Sequence, residues 1–182
     1  AQLLQGVRED APTFILSGLL DEEVEALEAI SQTNPDLASL DTTPMVTADV
    51  ISVGGIDPKT VPNLPEEAEF MLSGSIPVTF AAEVPARSRV VDGQWWPADY
   101  SGPPLVSLRE TMRLQLGLKL GDTLVLDILG DQLSARISSF RAFDWQGASN
   151  LMVTLTPSAL EGYPYTTMAA VRAAPGREQA LG

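Results

Sequence analysis

Few side chains in this sequence could do chemistry. The 182 residues include neither cysteine nor histidine, so there is no thiolate nucleophile, disulfide or Cys-based metal site, and no imidazole base. Catalysis would need paired carboxylates, a Ser-Lys pair or a hard cation. Lys59 and Lys119 are the two lysines, and neither lies in a Ser-x-x-Lys motif. We therefore expect no enzyme, cofactor or metal site, and a carboxylate-dependent hydrolase is the last of three hypotheses.

Aromatic residues form the most concentrated candidate for binding. Trp95, Trp96 and Tyr100 lie in the turn-rich stretch 93–100, and Trp145 follows at a distance. Rings in loops can anchor a protein partner or form a platform for lipid or sugar. Large aromatics are also commonly buried, so the same residues could fill the core of a small lobe. Both interpretations stay open, and these four residues are the predicted interaction surface.

The charge of the chain limits its partners. The chain has 24 acidic and 11 basic side chains, for a net charge of −13. The electric field of this negative charge repels nucleic acid and anionic lipid surfaces. Nucleic acid is therefore excluded as an expected partner. The hydrophobic fraction of 45% predicts a folded core, and no apolar run reaches the roughly 18 residues that suggest a membrane span.

The first third of the chain has a strand, helix, strand pattern. Residues 12–17 form a short apolar run, and residues 45–53 read as a longer strand. Between them, Asp21 is the predicted N-cap of a helix that Asn34 and Pro35 terminate. The apolar face of that helix comprises Leu20, Val24, Leu27 and Ile30.

The middle of the chain is richer in strands and turns. Strand-like pieces occur at 70–72 and 78–81, a hairpin is predicted from 123–129 and 132–140, and a further strand covers 151–156. Ser107 and Glu110 have the spacing of a capping box, which predicts a helix from Ser107 that Gly117 terminates.

The last segment repeats the first. Aligning residues 14–16 with 168–170 brings Asp21 onto Pro175, so a second strand and helix are expected, the helix being cut short at Gly182. We therefore predict a piece of a longer chain with an α+β fold. Its split lobe of strand–helix–strand units covers 1–56 and 162–182, and an inserted β-rich lobe with one helix covers 57–161.

Three stretches carry a resemblance to a known family. They are 91–97 (VDGQWWP), 102–107 (GPPLVS) and 116–124 (LGLKLGDTL). Together they resemble the large extracytoplasmic segment of bacterial ABC-transporter permeases of the MacB/FtsX-like superfamily. The likeness is closest to the YbbP-like branch and extends over the whole chain.

The resemblance implies a non-catalytic domain on the periplasmic side of the bacterial inner membrane. Its partners would be its own transmembrane helices, which lie outside this sequence, and through them a cytoplasmic ATP-binding subunit. It would help handle a hydrophobic or envelope-derived substrate, with a periplasmic protein or a lipid-like molecule as a further partner. The alternative hypothesis is a free-standing envelope binding or adaptor module that uses the aromatic loop.

Overall fold

The computed structural model describes residues 14–143 and 152–173. The chain forms two compact units, which we call the strand–helix unit (1–44, 145–149 and 166–182) and the barrel unit (45–144 and 150–165). The chain passes from the first unit to the second within strand β2 (Leu37–Val53) and returns ahead of strand β9 (Thr166–Ala173). The lobes predicted from the sequence had their boundaries after residues 56 and 161.

The strand–helix unit consists of β1 (Phe14–Leu19), α1 (Asp21–Thr33), the first part of β2, and β9. Strand β9 lies between β1 and β2, and it pairs with β1 in the antiparallel sense. Helix α1 ends where the Asn34-Pro35 signal predicts. At its start the prediction was wrong by one residue: Leu20 is the N-cap, Asp21 is already helical, and the Glu23 carboxylate accepts from the Leu20 N–H at 3.1 Å.

Six strands of the barrel unit close into a ring. The second part of β2 pairs with β3 (Ser75–Phe80), and β3 with β8 (Val153–Leu155). Strand β8 then pairs with β5 (Leu105–Arg109), β5 with β7 (Asp131–Phe143), and β7 with β6 (Thr123–Ile128). Strand β6 returns to β2 and closes the barrel. The β3–β8 and β5–β7 pairs are parallel, and the other four are antiparallel.

Three further elements surround the ring. Strand β4 (Ser88–Gly93) pairs with the C-terminal part of β7, residues 139–143. Helices α2 (Glu66–Leu72) and α3 (Glu110–Leu116) contribute Met71 and Met112 to the core.

Alternation along the strands fills the barrel interior. On β6 and β7 every second residue is buried over most of the hairpin while its neighbours are more exposed, as expected for strands with one face on a core. Members of this core from the six ring strands include Val46, Ala48, Val50, Ile76, Val78, Val106, Leu108, Leu124, Leu126, Ile128, Ala135, Ile137, Val153 and Leu155.

The predicted α+β fold class is wrong. Strand makes up 46% and helix 23% of the structure, and a closed six-stranded barrel with extra strands replaces the balanced split lobe of strand–helix–strand units. The error has a physical cause, since closure depends on pairs such as Asp49 with Asp127 and Thr79 with Thr154. These partners lie far apart in sequence and leave no local pattern.

Two local predictions for the barrel unit are also wrong. Ser107 lies inside β5 and is fully buried, while α3 begins at Glu110 after the N-cap Arg109. The Ser107 hydroxyl accepts hydrogen bonds from Ser139 and Arg141, both on β7, and does not cap a helix. Residues 70–72, predicted as strand-like, belong to helix α2.

The predicted stop of α3 is confirmed, and the predicted β6–β7 hairpin forms with its turn at residues 129–130, one residue earlier than the predicted 130–131. Gly117 ends α3 with a φ of 66°, and Leu118 after it is 3% exposed, as a glycine stop with a hydrophobic contact requires. The β6–β7 hairpin turns at Leu129 and Gly130, both with positive φ, which is the geometry of a two-residue turn between twisted strands.

Candidate functional site

A buried arginine organises one side of the barrel unit. Arg141 on β7 is the largest fully buried side chain of the described residues, with 0% exposed. It donates hydrogen bonds to the hydroxyls of Ser107 at 3.0 Å, Ser88 at 3.1 Å and Thr154 at 2.8 Å. Burial lowers the pKa of its guanidinium to about 10, so the group remains charged at neutral pH. One positive charge thus joins β4, β5 and β8.

The predicted aromatic pair packs beside this arginine. Trp96 is 4% exposed and Trp95 is partly buried, and their ring centroids are 4.1 Å apart. Their indole N–H groups donate to the backbone carbonyls of Ala81 and Ala82 at 2.8 and 2.9 Å. Both polar edges are therefore satisfied within the fold, and the pair holds the segment after β3 in place.

The other two predicted aromatic residues have different outcomes. Tyr100 is partly exposed, and its hydroxyl donates to the Pro103 carbonyl at 2.7 Å. Trp145 lies outside the described residues. Of the predicted interaction surface, Tyr100 and Trp95 keep accessible area, while Trp96 is a core residue in this fold.

The structure brings together a set of arginines that the sequence analysis missed. A cavity of about 450 Å³, which we call the arginine cavity, opens where β4, the end of β7 and the start of α3 meet. Arg87, Arg89 and Arg109 supply three guanidinium groups, and Glu110 is the one carboxylate among the described residues of the wall. Ser88, Thr111, Ala142 and Phe143 complete the lining.

Neighbouring groups fix the Arg109 side of this cavity. The Arg109 guanidinium forms an ion pair with Glu67 at 2.7 Å and donates to the Phe143 carbonyl from Nε and Nη2. It also lies over the Phe143 ring at 5.2 Å, and Arg141 lies 5.0 Å from the same ring. Such a forked, partly buried arrangement is rigid compared with an exposed arginine.

A sequence signal for this cavity existed. Six of the 11 basic residues are arginines from position 87 to 141, and Arg87-Ser88-Arg89 is a local pair in a chain with a net charge of −13. Their convergence was invisible because it requires β4 and β5 to lie on either side of the end of β7.

A second cavity of about 560 Å³ is acidic. Asp49, Asp57 and Asp127 line it together with Lys59, and Asp49 is opposite Asp127 in the β2–β6 ladder. These carboxylates already accept hydrogen bonds within the fold: Asp49 from Ser75, Asp57 from the Lys59 N–H and Asp127 from the Gly130 N–H. Over residues 14–143 and 152–173, no group of three or more carboxylates is arranged to hold a metal ion.

No helix in the described part of the chain is both long and apolar enough to cross a membrane. Comparisons of the chain with protein-family models, with curated proteins and with solved structures found no match. The arginine cavity and the hydrogen-bonded core around Arg141 are therefore interpreted from their own chemistry.

Proposed function

We propose that this chain is the extracytoplasmic domain of a bacterial ABC-transporter permease, a non-catalytic module that moves with membrane helices on either side of it. The cytoplasmic ATP-binding subunit would act on the domain through those helices. A hydrophobic or envelope-derived molecule would be the substrate.

The pairing of β1 with β9 is the observation that carries this proposal. The two strands are antiparallel, with Phe14 opposite Val171. The chain therefore enters β1 and leaves β9 on the same side of their ladder. A domain placed between two adjacent membrane helices needs its incoming and outgoing segments side by side, and this pair supplies that geometry.

The residues of the resemblance add a second kind of support, because they occupy turns that the barrel requires. Gly93 has a φ of 80°, and a Cβ there would collide with the Ser138 carbonyl. In the 116–124 stretch, Gly117 ends α3, and the Asp122 carboxylate accepts from the Lys119 N–H at 2.9 Å. Likeness at such positions argues for a similar barrel unit and leaves the ligand open.

Coupling in such a permease follows from linkage. Nucleotide can shift the domain between two arrangements only through different affinities for the two states of the complex. Displacement of the two membrane helices would act first on β1 and β9, which are neighbours in the strand–helix unit.

Labelling of single cysteines tests this topology, since the chain has no cysteine of its own. In the full-length gene product, with cysteines elsewhere replaced, Leu114→Cys lies at a position that is 72% exposed on α3. A membrane-impermeant maleimide should label it in cells whose outer membrane alone is permeabilised. Met112→Cys on the same helix is the matched control, because Met112 is 0% exposed, and it should react only after denaturation.

Labelling of Leu114→Cys only after the inner membrane is opened would exclude an extracytoplasmic domain. The native gene provides a separate check, because apolar stretches of about 20 residues are expected on both sides of this segment. Polar flanks would favour the free-standing envelope binding module and would remove the ATP-coupled mechanism.

A further inference from the structure

We propose that the arginine cavity binds a phosphate group carried by a small molecule or a lipid. This assignment goes beyond the proposed function and does not depend on it, since it concerns the chemistry of the barrel unit on either side of a membrane.

The concentration of positive charge is the first argument. In a chain with a net charge of −13, three guanidinium groups and one carboxylate share one cavity wall. The Glu110 carboxylate is engaged by Arg113, whose Nη2 donates to it at 3.2 Å. The rest of the protein repels anions at long range, but salt screens that field within about 10 Å. At contact distance the three arginines of the wall still outnumber the two carboxylates beside them, Glu110 and the Glu67 that pairs with Arg109.

The geometry of the wall is the second argument. Arg109 is held by Glu67 and by the Phe143 carbonyl, so its position does not have to be organised when a ligand arrives. Arg89 is exposed and is presented from β4. Arg87 precedes that strand with a φ of 63°, a left-handed conformation that costs an arginine energy and that clusters at binding sites.

The three arginines of the wall favour phosphate over carboxylate as the ligand group. A phosphate monoester offers three acceptor oxygens and up to two negative charges, whereas a carboxylate offers two oxygens and one charge. A volume of about 450 Å³ also exceeds what one phosphate ion fills, and it falls in the range of small-molecule sites. The expected ligand is therefore a phosphate with a small organic group attached, such as a glycerol phosphate or the headgroup of an anionic phospholipid.

Binding can be measured with two probes on the purified chain at about 0.15 M salt. Glycerol 1-phosphate, titrated by calorimetry or by NMR, reports a soluble ligand. Vesicles of phosphatidylglycerol, compared with vesicles of phosphatidylcholine in a flotation assay, report a lipid headgroup. We expect saturable binding to at least one of the two anionic probes and none to phosphatidylcholine.

The decisive comparison is between Arg89→Gln and Arg136→Gln. Both residues are exposed arginines on strands of the barrel unit, so each variant loses one surface charge, but only Arg89 lines the cavity. Loss of a charge-assisted hydrogen bond should weaken binding about tenfold or more in Arg89→Gln, and by less than about twofold in Arg136→Gln.

Each result has a defined meaning. Sensitivity to Arg89→Gln with the soluble probe identifies a free phosphorylated ligand, and the same sensitivity seen only with vesicles identifies a lipid headgroup. Equal weakening of binding by Arg89→Gln and Arg136→Gln would mean that only the overall charge matters, and it would overturn the proposal. An absence of binding to both anionic probes would overturn it as well. The topology of the permease is untouched by either outcome.

Discussion

Replacing Arg141 with methionine should lower the free energy of unfolding of the barrel unit by about 3 kcal/mol. The substitution removes a fully buried charge that donates to the hydroxyls of Ser107, Ser88 and Thr154. Methionine is unbranched and adapts to irregular space, so it can occupy most of the volume without a charge.

Two opposing terms set that magnitude. Hydrogen bonds from a charged donor contribute about 1.5 to 3 kcal/mol each, so three of them together contribute roughly 5 to 9 kcal/mol. Burial lowers the pKa of Arg141 to about 10, which corresponds to a cost of roughly 3 kcal/mol for keeping the charge. The remainder is favourable, in the range of about 2 to 6 kcal/mol.

The lower half of this range is expected because two of the acceptors keep partners. The Ser107 hydroxyl still bonds to Ser139 at 2.8 Å, and Ser88 still donates to the Pro85 carbonyl at 2.8 Å. Among the acceptors described, only the Thr154 hydroxyl would lose the Arg141 donor with no second side-chain hydrogen bond in its place.

Urea unfolding followed by tryptophan fluorescence and circular dichroism measures the change, and the slope of free energy against denaturant should stay unchanged. Arg136→Met, at an exposed position on the same strand, is the control. Its free energy of unfolding should stay within about 0.5 kcal/mol of the value for the unchanged protein. Arg141→Lys keeps the charge but cannot reproduce the planar fork, so it should be no more stable than Arg141→Met.

A neutral or stabilising Arg141→Met variant would refute this reasoning. It would mean that the desolvation cost exceeds the hydrogen bonds, as occurs for some buried charges. A more stable Arg141→Lys would show instead that charge matters and the fork does not.

Three further predictions concern backbone and pH. Gly93→Ala should destabilise the fold by about 2 kcal/mol or more, because φ is 80° and the new Cβ meets the Ser138 carbonyl; Gly74→Ala, with open space around it, should change it by less than about 0.5 kcal/mol. Leu129→Asn should stabilise by about 0.5 to 1 kcal/mol in thermal unfolding, since Leu129 has a φ of 54° and is 76% exposed; a loss of stability would contradict the turn geometry. Burial lowers the pKa of Arg141 to about 10 on folding, so above that pH the unfolded chain binds more protons than the folded one. The stability of the native protein relative to Arg141→Met should therefore rise with pH, by about 1 kcal/mol between pH 8 and 10.5. A flat difference would show that the guanidinium does not titrate in this window.

Local chemistry made several elements of the fold predictable. The stop of α3 at Gly117 and the turn between β6 and β7 depend on residues within one or two positions, because glycine alone adopts positive φ without strain. The capping box at Ser107 failed for the opposite reason. In the structure the Ser-x-x-Glu spacing joins β5 to the first residue of α3. Ser107 is buried beside Ser139 and Arg141, and only those distant partners distinguish a strand from a helix start.

The candidate site was harder to predict from the sequence than the turns. The aromatic cluster drew attention because tryptophan is rare and large, yet Trp96 is a packing residue that hydrogen-bonds to Ala81. The arginine cavity depends on Arg89 and Arg109, which lie on different strands, and on the Glu67 of a helix that the sequence did not predict.

By itself the sequence determined the chemistry that this protein has available: a negative net charge, no thiol or imidazole, and glycine turns that punctuate a strand-rich chain. Only the tertiary structure decided that six strands close into a ring and that arginines from separate strands meet at its side. The physical reason is that turns are settled by the conformational preferences of a few adjacent residues. Ring closure and charge convergence are settled by contacts between segments that are distant in sequence, whose free energy exists only once the whole barrel has formed.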